Sequence, residues 1–594
     1  MKKNNLLSRI TAAAMSLLML AATASGCSSK SSGSAANGKY GAFITVDVYD
    51  ALANDSGIQS GWYAKIIRDK FNMELNIITP NTTGSADSLY DTRFAAGDIG
   101  DIIICASGRG RLQSLVDAGL VLDMEPYIHE KNLIRNYSLP IRSLNRSVTQ
   151  DGIYAIPSSV SSATPDTPSE DTATNYGAYI RWDYYAEMGY PAINTFEDFL
   201  PLLAKMQETH PYDDNGNPVY AFSFFKDWDD NMMNAIKQPC CFYGYDESGF
   251  VLAKADGSDF QNILDEDSLY MRFLRFYNKA NQMDLVDPDS YNQTYNDLAQ
   301  KFKDGQVLFS PWPWLAQPSY NTTDHMSQGK GYMFVPVEDE LIYSYGCKSF
   351  GDYQTVIAIG SGAEDPERLV DFIDWLYSPE GIMISCCSPN QGTAGPEGLT
   401  WHINDDIPEL TDFGRLVLLN GDSEVPPSWG GGMWWDGSCM LNYTPVSKVE
   451  KTPGGYPYYF ATWESVFRKN KSALESDWSE HMHADTVIEY LQKNNQIIVS
   501  PGTDHISPDE TTELSTIRSQ CANTIITYSW KMVFAQSDDE FNSLYKELLS
   551  RAESLGYSQI YQFDLNNAKA EAAAKAAAVE QSAGNPDKSN APQK

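Results

Sequence analysis

Short apolar runs alternate with amphipathic stretches at residues 42–48, 60–71, 74–78, 89–96 and 101–104, and no feature of this 594-residue chain restricts its fold more. Strand-like and helix-like periods in alternation predict an α/β body with a largely parallel sheet. Asp101-Ile102-Ile103-Ile104 follows a Gly/Asp turn and is apolar without interruption, the pattern of a strand covered on both faces. In open α/β sheets, ligands sit beyond the carboxyl ends of the strands. Here that position is Ala106-Ser107-Gly108-Arg109-Gly110-Arg111, which makes Ser107, Arg109 and Arg111 candidates for recognising polar groups. A guanidinium offers five donors in a rigid fork, and two in one loop also suit an acidic ligand. The competing reading is that both arginines pair with Asp117 or Asp123 on the following segment.

The N-terminus reads as an export signal. Lys2, Lys3 and Arg9 precede an apolar run at 10–22, which is shorter than the roughly 20 residues a spanning helix needs. Small residues follow it. Ala24-Ser25-Gly26-Cys27 resembles a lipobox, which implies cleavage after residue 26, lipidation of Cys27 and anchoring to the outer face of the cytoplasmic membrane. Residues 27–38, rich in Ser and Gly, read as a flexible tether.

Composition narrows the partners. A formal charge of −35 repels polyphosphate, so nucleic acid is excluded as a partner. With 13 Trp, 35 Tyr and 24 Phe the chain can fill large cores, and it is read as globular, with at least two lobes. The cysteines other than Cys27 lack CxxC spacing, which favours buried thiols or one or two disulfides over a metal site. Asp213, Asn215 and Asn217 match the first positions of a calcium loop. Pro218 stands where the turning Gly is needed and Phe224 where the bidentate Glu is needed, so this reads as a surface turn, with no metal and no cofactor expected.

Several blocks, in order, resemble the extracellular solute-binding proteins of ABC importers, the group that includes maltose-binding protein and the larger carbohydrate-binding lipoproteins. They are Arg93-Phe94-Ala95-Ala96-Gly97-Asp98, Asp151-Gly152-Ile153-Tyr154-Ala155-Ile156-Pro157, Tyr179-Ile180-Arg181-Trp182-Asp183, Phe302-Lys303-Asp304-Gly305-Gln306-Val307 with Pro311-Trp312-Pro313-Trp314, and Ser378-Pro379-Glu380-Gly381. The resemblance implies an α/β, two-lobed, periplasmic-binding-protein-like (type II) fold with a hinge and an interlobe cleft. Lobe 1 is expected at 39–155 plus 313–380, lobe 2 at 156–312 plus 381–560 and enlarged by 399–463, and an Ala-rich, then mobile, tail at 561–594. It also implies a monomeric, non-enzymatic receptor that closes on a sugar-like ligand and is read by the permease's transmembrane subunits.

A pyranose offers apolar C–H faces ringed by hydroxyls, so aromatic platforms are the residues to look for. Trp312 and Trp314 correspond to a stretch that supplies stacking aromatics in maltose-binding proteins, with Trp314 divided between stacking and core packing. Trp429, Trp434 and Trp435 flank Gly430-Gly431-Gly432 in a loop that reads as exposed, the alternative being a loop folded onto its own Trp side chains. Tyr459 and Trp463 rank second. A secreted carbohydrate-active enzyme would share these aromatics, since paired glycosidase carboxylates meet only in space. The chain has no HExxH or GxSxG motif. A surface sensor or adhesin on the same fold is a further alternative.

Overall fold

The computed structural model describes residues 39–80, 86–107, 110–213, 215–388, 392–467, 471–508 and 510–583. The chain divides into an N-terminal unit, Met1–Phe43, and a body, Ile44–Lys594. The expected signal, the tether and Cys27 lie outside the described residues, among which no helix is long and apolar enough to cross a membrane.

The first lobe is built on a mixed sheet. β1 (Ile44–Asp50) pairs in parallel with β2 (Met73–Ile78) and with β3 (Ile102–Cys105). Antiparallel β5 (Asp352–Ile359) joins β3 to β4 (Ile156–Ser158). All of β3 is buried, as its unbroken apolar run requires. α1 (Gly61–Phe71) returns along the sheet with Trp62, Tyr63, Ile67 and Phe71 inward and ends at Asn72, whose left-handed backbone turns the chain into β2. Phe71 meets Phe372 of α2 (Pro366–Leu376) edge-on at 5.6 Å, and α3 (Pro379–Ser385) follows.

In the second lobe, Tyr179–Arg181 lies between antiparallel Phe309–Ser310 and Tyr332–Phe334. The core beneath is aromatic, with Phe196 touching Phe199, Phe242, Phe273, Phe276 and Phe309 at 4.7–5.9 Å. Arg181 is buried against Asp183, with Nε donating at 2.9 Å, between the rings of Tyr184 and Tyr320. It is therefore a structural ion pair.

The expected lobe boundaries need correction in three places. Residues 313–345 belong to lobe 2, because Tyr332–Phe334 pairs with Tyr179–Arg181 and Ile342–Tyr345 pairs in parallel with Ile497–Ser500. The return crossing falls at Gly346. A Cβ there would stand 2.0 Å from the carbonyl oxygen of Pro165, and one at Gly502 2.0 Å from that of Cys347. Three crossing segments are laced together by Cys347 N–H to Thr167 O at 2.9 Å and Gly502 N–H to Pro165 O at 3.0 Å. Residues 399–463 pack on lobe 1, where Trp434 stacks on Trp62 of α1. The C-terminal segment is a helix, α4 (Tyr557–Ala583), seated on the hairpin strands Tyr245–Ser248, Val251–Lys254 and Phe260–Asn262. Its alanines permit close approach where bulky apolar residues were looked for: a Cβ on Gly257 would lie 2.7 Å from Ala572 Cβ. Buried Asp564 accepts from Phe250 N–H at 2.8 Å and pairs with Arg518, which pins the helix.

Glu340 is buried in lobe 2, and neither carboxyl oxygen makes a well-formed hydrogen bond. Burial pushes its pKa well above the carboxylate range, against a weak opposing pull from the Val337 backbone. Folding therefore favours the protonated form. Its contribution to stability is full below the unfolded pKa and falls as pH rises toward the folded one, by up to about 1.4 kcal/mol per pH unit. Glu340→Gln is expected to melt higher than wild type at pH 8 and to lose that advantage near pH 4. Equal pH dependence of the two melting curves would refute this.

Candidate ligand-binding site

On lobe 1 the strand ends converge as expected, but their side chains are mostly engaged. β1 ends at Asp50, whose Oδ1 accepts from Leu52 and Ala53 N–H at 2.8 and 3.2 Å, while Oδ2 is buried without a partner. Burial raises this carboxyl to about 7. Beyond β3, the Ser107 hydroxyl donates to the Tyr353 carbonyl. Arg111 lays its guanidinium 4.2 Å over the Tyr90 ring and so packs along the lobe. Neither expected acidic partner takes it, since Asp117 accepts from Gln113 and Gln150, and Asp123 from Glu125 and Ile153 N–H. Arg109 lies outside the described residues.

On lobe 2 the aromatic group is larger than the two tryptophans singled out above. Pro311 and Pro313 hold Trp312 extended, and Pro313 opens the helix Pro313–Tyr320. Trp312 is only 5% exposed and donates through Nε1 to Gln238 Oε1 at 3.1 Å, so it supports the group from behind. Trp314 is half-buried, 4.9 Å from Trp312, with Nε1 donating to Asn175 Oδ1 at 3.0 Å. In front stands Trp228, 45% exposed, stacked on Tyr295 at 4.9 Å and tilted 5.8 Å from Trp314. Trp228 thus presents the open ring.

Next to the crossings, Tyr176 and Tyr345 share a 2.6 Å hydroxyl contact, and Tyr345 donates to Asp246 Oδ2 at 2.6 Å. Lys237 pairs with Asp246 Oδ1 at 2.5 Å. Burial alone would raise the Asp246 carboxyl, but the Lys237 ammonium and the Tyr345 hydroxyl outweigh it and hold it below the usual range. Tyr345 ends the last lobe 2 strand before the return crossing, so this network ties the hinge to the lobe floor. Tyr345→Phe removes a hydrogen bond to a charged group and is expected to cost about 1.5 kcal/mol in urea unfolding. An unchanged midpoint would show the bond to be idle.

The glycine-rich loop departs most from its sequence reading. Trp434 is fully buried, stacked on Trp62 of α1 at 4.3 Å and 10°, and the Trp62 Nε1–H donates to the Trp434 carbonyl at 2.9 Å. The glycines allow this seating. Gly430 and Gly437 bring loop backbone against Gly61 and Trp62, and a Cβ on Gly61 would stand 2.2 Å from Gly437 Cα. Trp435 stays half-exposed with Nε1 donating to Gly421 O at 2.9 Å, and Trp429 stays half-buried. Tyr459 is buried, and Trp463 packs 5.6 Å from Trp401. Trp434, Tyr459 and Trp463 are therefore withdrawn as stacking candidates.

The profile of the bacterial extracellular solute-binding protein family matches residues 54–383. The chain belongs to this family. No curated protein sequence matches it, but solved structures of the same architecture do. The substrate-binding protein FusA of the S. pneumoniae ABC transporter, in complex with kestose, is 12% identical, with a TM-score of 0.57 over 90% of this chain and 100% of that one. The HMO-binding ABC-transporter-associated solute-binding protein of Bifidobacterium longum infantis is 15% identical, with a TM-score of 0.55 over 90% and 100%. The alginate-binding protein AlgQ2, solved without calcium ion, is 13% identical, with a TM-score of 0.53 over 89% and 98%. At such identities the likeness establishes the fold: a two-lobed, periplasmic-binding-protein-like α/β molecule.

Within this solute-binding protein, the sequence reading missed Trp228, Tyr295, Asn175 and the Tyr176–Tyr345 pair. The one available signal was Trp228 itself, a lone aromatic in the acidic run Asp227-Trp228-Asp229-Asp230, where neither helical nor strand period calls for a core residue. The Asp213 turn closes on itself: Oδ1 accepts from Asn215 and Asn217 N–H at 2.9 and 2.7 Å.

Proposed function

We propose that this chain is the receptor of an ABC importer, held by lipid on Cys27 at the outer face of the cytoplasmic membrane, and that it captures a neutral sugar or oligosaccharide between its lobes as a monomer. The observation that carries the reading is the Trp228–Trp314 pair on lobe 2, an open aromatic surface backed by Trp312. A neutral guest is favoured, since Asp227, Asp229 and Asp230 flank Trp228 in sequence and the chain as a whole is strongly acidic. A ligand that touches both lobes binds the closed form more tightly and shifts the hinge equilibrium toward it. The permease's transmembrane subunits then receive the closed form. No covalent step is involved, and the protein is not an enzyme in this account.

Thermal-shift screening of the purified protein against neutral oligosaccharides and uronides tests the reading, because a ligand of the native state raises the melting temperature with the logarithm of its concentration. A neutral oligosaccharide is expected to give that rise and to be recovered intact. Cleaved glycan would replace the receptor by an enzyme, and shifts by uronides alone would overturn the neutral assignment.

A further inference from the structure

An open pocket lies on lobe 1, and every residue lining it belongs to that lobe. It spans about 1280 Å³ out to its mouth, between the outer side of α1, the start of α3 and the insert that carries Trp401, Trp429 and Tyr456. Its place in the fold separates it from the cleft. α1 follows the short strand Gly57–Ile58, which runs antiparallel to β2, and it ends at Phe71, next to the first residue of β2. Asp69 and Lys70, which line the mouth, therefore stand at the amino end of the sheet, opposite Asp50 and Ser107. Because all its walls come from one lobe, a rigid-body hinge movement would not part them.

Its walls are held in place. Trp401 and Tyr456 meet edge-on at 5.8 Å, and Trp401 Nε1 donates to Gly395 O at 2.9 Å. The Tyr456 turn is closed by Thr452 N–H to Tyr456 O at 2.8 Å. Trp429 is set on a short turn whose next residue, Gly430 at φ +116°, is pressed against α1. The Lys70 ammonium is occupied by Glu380 Oε2 at 2.8 Å, and Glu380 also accepts from Trp375 Nε1 at 2.8 Å. The lining is thus aromatic and proline surface with the carboxylates of Asp69, paired with Lys65, of Glu380, paired with Lys70, and of Glu397. That combination offers acceptors to hydroxyl groups above apolar C–H faces, and the formal charge of −35 on the chain disfavours an anionic guest.

We infer that the lobe 1 flank holds a second carbohydrate site, specific for a neutral glycan and independent of hinge closure. It does not depend on the cleft reading. The test titrates wild type, W429A and the cleft variant W228A/W314A with neutral malto-, cello-, manno-, xylo- and fructo-hexasaccharides and with a proline-rich peptide, using saturation-transfer NMR and calorimetry. At least one hexasaccharide is expected to bind W228A/W314A and to lose tenfold or more in affinity when W429A or E397Q is added, with melting temperature unchanged in E397Q. The inference is overturned if W228A/W314A binds no hexasaccharide, if that binding ignores both flank substitutions, or if only the peptide binds. Failure of the cleft reading looks different: all wild-type binding would then survive W228A/W314A and vanish in W429A.

Discussion

Trp434→Ala is expected to destabilise the protein by about 3–5 kcal/mol, the usual cost of removing a fully buried tryptophan from a core. The loss has two parts. The Trp62–Trp434 stack at 4.3 Å disappears, and the cavity it leaves opens between α1 and the glycine-rich loop. The surrounding backbone cannot collapse into that space, because Gly61 and Gly437 are already in contact. Trp435→Ala, at a half-exposed ring, is expected to cost far less. Urea unfolding of the two variants decides the point: equal midpoints would mean that the loop is not anchored through Trp434, and residues 399–463 would have to be assigned differently.

Removing both open rings of the lobe 2 platform, in W228A/W314A, is expected to weaken cleft binding of a neutral oligosaccharide about 100-fold, or about 2.7 kcal/mol. Each ring offers apolar area whose burial stabilises by about 1–3 kcal/mol. Trp228 is 45% exposed and Trp314 half-buried with one hydrogen bond to Asn175, so the double change is expected to lower the melting temperature less than loss of the buried Trp312 does. Trp312→Ala tests the distinction from the other side. That ring is buried and hydrogen-bonded to Gln238, so its loss is expected to appear first in the melting temperature. If Trp312→Ala lowered affinity and left stability alone, Trp312 would be the stacking ring after all.

The α/β class was legible because β3 is covered on both faces and carries its burial as four consecutive apolar residues. The lobe boundaries were not, since the crossing is defined by backbone proximity at Gly346 and Gly502, and nothing in one dimension separates such glycines from those of ordinary turns. The same limit explains the insert. Glycine next to tryptophan reads as an exposed binding loop, yet the glycines serve to let Trp434 reach Trp62. From Ala568 onward α4 shows alanine with few bulky apolar residues. The packing face exists because Gly249 and Gly257, some three hundred residues earlier, remove the side chains that would keep the helix away. For the site, Trp312 and Trp314 marked the right region, but which ring is open depends on Trp228, whose neighbours in space are distant in sequence.

Small-angle X-ray scattering of the protein with and without a saturating neutral oligosaccharide, followed by recovery of that sugar, addresses the capture mechanism most directly. A smaller radius of gyration in the presence of chemically unchanged sugar, absent in W228A/W314A, is the expected result. An unchanged radius with sugar demonstrably bound, or a shortened sugar in the recovered solution, would contradict it.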